Sequence, residues 1–211
     1  MKIISHRGYW EDISDKNTKQ AFTRSFKLGF GTETDIRDRN GSLVISHDMP
    51  RGNEMLVEDF FVLLEDKNLP LALNIKADGL CEILCSQVRV SNITNAFVFD
   101  MSVPDLRSYL RNGVVKVFTR LSEYEPVPAF FDDCDGVWLD CFESIWFNET
   151  DIINILKAKK IVCIVSPELH GRKNNYELWD LLKKIPSEDG DNLILCTDLP
   201  QKALAYFEEH L

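Results

Sequence analysis

The chain lacks any stretch of the roughly 20 apolar residues that a membrane-crossing helix requires. Its apolar start is only a few residues long, too short for a secretory leader, so the expected location is the cytoplasm. No C-x-x-C pair occurs among its six cysteines, Cys81, Cys85, Cys134, Cys141, Cys163 and Cys196. They therefore read as reduced, mostly buried thiols, and the i, i+4 pair Cys81 and Cys85 as helix packing rather than zinc binding. There is no linker, low-complexity stretch or internal repeat, so all of 1–211 reads as one domain. Positive charge is also scarce. Lys and Arg number 24 against 34 Asp and Glu, a formal net charge of -10. Such a surface repels a nucleic-acid backbone. A phosphorylated substrate needs a local positive site instead, and Arg7, Lys76 and a bound cation would supply one.

What is present is a regular alternation of short β-branched runs with helical patterns. The runs predict strands at 2–6, 31–37, 42–46, 70–76, 95–100, 114–119, 136–141, 160–165 and 192–197. Helices are predicted at 17–29, 56–66, 79–90, 103–112, 149–159, 175–185 and 200–210. Asn17-Thr18 can cap the first helix and Gly29 follows it; Ser102, Pro104 and Asn112-Gly113 frame the fourth. Glu125-Pro126-Val127-Pro128 interrupts any helix between 119 and 136. Runs 31–37 and 42–46 read as a hairpin through Asn40-Gly41. With the hairpin counted as one unit the strands number about eight, most of them followed by a helix, which implies a parallel sheet and permits a closed (β/α)8 TIM-type barrel of the α/β class.

Polar clusters end several apolar runs. His6-Arg7-Gly8 follows the first, and His47-Asp48 the third. Two histidines can serve as general acid and general base near neutral pH. Glu33 and Asp35, spaced i, i+2 on a strand, share one face and suit a hard divalent cation. Together with Arg7 these residues point to metal-assisted chemistry on a phosphate ester. Catalytic groups of a barrel sit where strands end, and His6, Glu33, Asp35, His47, Asn74 and Lys76 all lie at or near such ends.

Each group also has a plainer structural role open to it. The alternative for Glu33 and Asp35 is a pair of solvated strand-end charges, though two acids on one face call for a compensating partner. For Lys76 it is a surface lysine, though its place at the end of an apolar strand favours an inward role; Asp48 orients His47 or caps a turn. Arg37 and Asp38 read as surface pairs. Glu168, His170, Asp140 and Glu143 belong at the catalytic rim, where Glu168 or His170 would replace a lost ligand or simply shape a loop. Trp138 reads as core or rim packing, Phe60-Phe61 as helix core, and His210 as solvent-exposed.

The series His6-Arg7-Gly8, Asn17-Thr18, Ala21-Phe22, Glu33-Thr34-Asp35-Ile36 and His47-Asp48 resembles the glycerophosphodiester phosphodiesterase family. Leu73-Asn74-Ile75-Lys76 and Cys196-Thr197-Asp198-Leu199-Pro200 resemble its later strands. The likeness is dense over the first 50 residues and sparse between 80 and 190. It implies a (β/α)8 barrel that hydrolyses a small phosphodiester with a divalent ion, magnesium or calcium. His6 and His47 match the acid–base pair, Glu33 and Asp35 two metal ligands, and Arg7 and Lys76 the groups that hold phosphate. Asn74 stands where the family usually has a third acidic ligand, and an amide oxygen can bind such an ion without adding charge. Lys16 stands where a glutamate usually precedes Asn17-Thr18. The longer insertion that shapes the family's glycerol pocket is absent after His47-Asp48. Two other outcomes stay open at this point: a cyclising lyase of the phospholipase D toxin type, and a catalytically inactive phosphate-binding barrel.

Overall fold

The computed structural model describes residues 1–208, apart from the side chains of 187–189. The chain is organised as two compact units, Met1–His6 with Phe118–Leu211, and Arg7–Val117. In chain order the elements are β1 (Lys2–His6), α1 (Lys19–Lys27), β2 (Gly31–Arg39), β3 (Ser42–Ile45), α2 (Val57–Val62), β4 (Leu71–Ile75), α3 (Cys81–Val90), β5 (Ala96–Phe99) and α4 (Val103–Asn112). Then follow β6 (Lys116–Leu121), β7 (Gly136–Leu139), α5 (Glu149–Lys157), β8 (Ile161–Val165), α6 (Asn175–Leu182), β9 (Leu193–Thr197) and α7 (Pro200–Glu208). Every expected strand and helix forms, most with ends moved by one to three residues. The segment from 122 to 135 holds no helix. The last helix is described as far as Glu208, and His210 lies outside the described residues.

In the Arg7–Val117 unit, β2 is the longest strand. It pairs antiparallel with β3 and parallel with β4, in a register that sets Glu33 beside Ala72 and Asp35 beside Asn74. The Asn40-Gly41 turn has φ of 51° and 84°, the left-handed pair that a two-residue hairpin needs. β4 pairs parallel with β5, and β5 with the start of β6. Helix α1 begins where Thr18 accepts from the Ala21 amide, and buries Ala21, Phe22 and Phe26. The Phe22 ring meets Phe60 of α2 edge-on at 4.6 Å, which fastens both helices over one apolar patch.

In the other unit, β6 from Phe118 onward, β7, β8, β9 and β1 run parallel in that order. Their core is Val137, Leu139, Ile164, Leu195, Leu178 and Trp179, all at most 2% exposed. Gly136 is required by close approach, because a Cβ there would lie 2.5 Å from the Phe118 ring and 2.6 Å from the Ile161 carbonyl. Asn148 and Asp151 form a reciprocal capping box at the start of α5, while in the Arg7–Val117 unit Gly113 closes α4 with φ 66°. All six cysteines are buried thiols outside any disulfide, as expected. Among the described residues, no helix is long and apolar enough to cross a membrane.

Candidate active site

The backbone just past β1 is wound tightly. Arg7 and Gly8 both take left-handed φ, 59° and 82°. A Cβ on Gly8 would stand 2.7 Å from the Cβ of Ala21, so glycine is the residue that fits. The Arg7 amide donates to the Glu33 carbonyl at 3.0 Å, and the Gly8 amide to Thr32 Oγ1 at 2.9 Å. These bonds dock the turn onto β2, so that the Arg7 guanidinium reaches Asp35.

Glu33 and Asp35 are 2% and 0% exposed, so neither is a solvated strand-end charge. Arg7 Nε lies 3.0 Å from Asp35 Oδ2 and Lys76 Nζ lies 3.4 Å from Oδ1. Asn17 donates to Oδ2 at 2.9 Å and accepts from Thr34 Oγ1 at 2.9 Å. Asn17 therefore belongs to the site, while Thr18 alone caps α1. Lys76 is not a surface lysine; its amide bonds the Ile36 carbonyl at 3.0 Å just past β4, which turns the side chain toward Asp35. Burial, and next the charge of Asp35, raise the Glu33 carboxyl from its ordinary 4.5 to about 8, against the opposing pull of Arg7 and Lys76. At neutral pH Glu33 thus keeps its proton unless another cation arrives.

Asn74 projects beside Asp35 and is 7% exposed. Its Nδ2 donates to Asp100 Oδ2 at 3.1 Å, an arrangement that leaves the buried Oδ1 with no donor. A buried carbonyl oxygen without a donor, beside two carboxylates, is the donor set of a hard cation. These residues therefore fit a divalent ion. Asp100, one residue past β5, escaped the sequence reading; its position at the end of the apolar run Phe97-Val98-Phe99 was the available signal.

His47 lies two residues past β3 with its side chain 46% exposed. Its Nδ1 meets Asp48 Oδ1 at 2.8 Å, and its carbonyl accepts from Arg37 Nε at 3.1 Å. Asp48 is thus an orienter of the ring, and this hydrogen bond draws its carboxyl below the usual range. Arg37 positions His47 rather than forming a surface pair. His47 and Asp48 line a cleft of about 480 Å³ with Arg7, Lys16, Asn17 and Glu54. A cleft of about 500 Å³ at the opposite ends of β4 and β5 holds none of these residues.

In the other unit His6 ends β1, with Nδ1 2.8 Å from Asp198 Oδ1. The two side chains are 12% and 11% exposed. A second such pair joins His170 Nε2 to Asp140 Oδ1 at 2.6 Å. Asp140 also accepts from the indole of Trp138 at 3.3 Å, and Tyr124 donates to Glu143 at 2.9 Å. Glu168 accepts from Ser166 and Thr197. Among the described residues no three His, Cys, Asp or Glu side chains group as a metal centre. Of the expected site, Arg7, Glu33, Asp35, Asn74 and Lys76 meet around one carboxylate pair, and His47 shares a cleft with Arg7.

No family model matches the sequence, and no curated protein does. Solved structures do. A glycerophosphodiester phosphodiesterase from Agrobacterium tumefaciens is 12% identical with a TM-score of 0.69, over 99% of each chain. A phosphodiesterase of Oleispira antarctica, solved with the product sn-glycerol-3-phosphate, is 15% identical with a TM-score of 0.69, over 99% of this chain and 97% of that one. The tryptophan synthase α-subunit of Pyrococcus furiosus aligns at 12% identity and a TM-score of 0.55, over 99% and 95%. At these identities the likeness shows the fold. The chain has the (β/α)8 barrel architecture of these proteins, the fold expected from its sequence.

Proposed function

We propose that this chain hydrolyses a small phosphodiester of the glycerophosphodiester kind, releasing an alcohol and a phosphomonoester. The observation that carries the reading is the buried pair Glu33 and Asp35, met by Arg7, Lys76 and the undonated Oδ1 of Asn74. The barrel shared with two phosphodiesterases supports it. Glu33, Asp35 and Asn74 would hold a divalent ion, magnesium or calcium, which when bound polarises a phosphoryl oxygen. Arg7 and Lys76, each 21% exposed, share their charge between Asp35 and a phosphate oxygen, and so favour the charge that grows in the transition state. His47 donates from Nδ1 to Asp48, and His6 from Nδ1 to Asp198, so Nε2 is the nitrogen that would carry the proton in each ring. One histidine takes the proton of the attacking water and the other protonates the departing alkoxide.

The test is turnover of bis(4-nitrophenyl) phosphate and glycerophosphocholine with magnesium, calcium, manganese or zinc. Wild type is compared with His6→Ala and His47→Ala. With glycerophosphocholine, whose departing alkoxide needs a proton, each variant is expected to lose at least about 100-fold in kcat with little change in KM. Wild-type rates in either variant refute the assignment. Absence of turnover with every ion refutes the hydrolase reading and leaves a phosphate-binding barrel. In oxygen-18 water the phosphomonoester must carry solvent oxygen; a cyclic product without it would mark a lyase.

A further inference from the structure

The short 3-10 turn Pro167–His170 after β8 is tied to both neighbouring strand ends. On the β7 side, His170 holds Asp140. On the β9 side, Glu168 Oε1 accepts from Thr197 Oγ1 and from the Asp198 amide, the latter at 3.2 Å. Its other oxygen accepts from Ser166 Oγ at 2.6 Å. Ser166 is fully buried and takes the Trp179 indole proton at 3.2 Å, which anchors it to α6. Thr197 Oγ1 also accepts from the Leu199 amide at 3.0 Å. The main chain that carries Asp198 is therefore fixed on both flanks, and the carboxylate of Glu168 accepts from the Asp198 amide itself. Asp198 in turn sets the His6 ring.

We propose that Glu168 is a positioning residue for His6, acting through Asp198. The proposal rests on the reading of His6 as an acid–base group. A ring that must pass a proton needs one tautomer and one orientation, and the carboxylate behind it supplies both. Asp198 can do so only if its own backbone is held, because it follows the last residue of β9 and precedes the Leu199-Pro200 entry into α7. Glu168 does not touch His6, so its effect should be conformational. An amide of the same shape can accept the Thr197 and Asp198 protons, whereas alanine cannot.

The experiment uses the full chain with nitrogen-15 histidine, the His6 signals being assigned with His6→Gln. Glu168→Ala, Glu168→Gln and the core variant Leu178→Ala are compared with wild type. Nitrogen-15 shifts report the His6 tautomer without substrate, and glycerophosphocholine turnover reports kcat and KM. Wild type and Glu168→Gln are expected to hold the Nδ1–H form. Glu168→Ala is expected to populate both tautomers and to lose about 10- to 100-fold in kcat, with KM within about threefold. Leu178→Ala, which only weakens the core, should leave the tautomer and the kcat of folded protein unchanged. A wild-type tautomer and kcat in Glu168→Ala would overturn the proposal. So would equal losses in Glu168→Gln and Glu168→Ala. If wild type turns over no diester, the proposed function fails, and the tautomer alone decides this inference: a changed ring supports it and an unchanged ring overturns it.

Discussion

Replacing Glu33 by glutamine should make the protein more stable at alkaline pH and leave it nearly unchanged in acid. The Glu33 carboxyl titrates near its ordinary 4.5 in the unfolded chain and at about 8 in the fold. Below 4.5 it is protonated in both states and contributes no pH dependence. Between 4.5 and about 8 the unfolded chain releases the proton while the folded chain keeps it. Stability must then fall as pH rises, by about 1.4 kcal/mol per unit, and the fall ends above the folded value. The shift from 4.5 to about 8 caps the total at about 5 kcal/mol. That is comparable to the whole stability of a small domain, about 5–15 kcal/mol. Glu33 is only 2% exposed, so solvent screening takes little from this ceiling. Glutamine has the same shape and no proton to lose. Urea unfolding, followed by tryptophan fluorescence in EDTA from pH 5 to 9, measures the difference, the chelator keeping divalent ions from replacing the proton. The gap in unfolding free energy between Glu33→Gln and wild type should open steadily from pH 5 to 8. Parallel curves across the range would refute the argument, because Glu33 would then ionise as freely in the fold as outside it.

Other perturbations test neighbouring parts of the site. Asn74→Glu adds a third charge beside Asp35 and should tighten magnesium or calcium binding in titration calorimetry; unchanged affinity would mean that position 74 is not a ligand. Gly8→Ala combines a φ of 82° with a contact of 2.7 Å to Ala21 and should cost about 2–4 kcal/mol in urea unfolding. A loss under about 1 kcal/mol would show that the turn relaxes around a methyl group.

The architecture was legible because two periodicities alternate along most of the chain. Buried parallel strands such as Leu71–Ile75 and Ile161–Val165 are near-continuous apolar runs, and helices such as Val103–Asn112 carry readable caps. Strand β2 outran its expected end because its antiparallel pairing continues to Arg39. The residues of the site were legible as types, less so as partners. Asn17 reads as a helix cap from its spacing, since an amide serves a helix end and a carboxylate equally well. The pairing of His6 with Asp198 spans 192 positions, and only the folded sheet, which sets β1 beside β9, brings them together. The turn at Pro167–His170 has no apolar period to reveal it; its order comes from the side-chain bonds of Glu168 and His170.

The six sequestered thiols have a use beyond packing. Burial pushes the Cys81 and Cys141 thiols up to about 12 and Cys134 to about 11, so all three stay protonated and unreactive at neutral pH. Two cysteines, Cys81 and Cys85, belong to Arg7–Val117, and four, Cys134, Cys141, Cys163 and Cys196, to the rest. An alkylating reagent can therefore modify a cysteine only where the surrounding structure has opened. Mass spectrometry of briefly labelled protein would tell the openings apart, since one half of the molecule adds two tags and the other four. Evolution has left this enzyme-sized barrel with an internal gauge of which half lets go first.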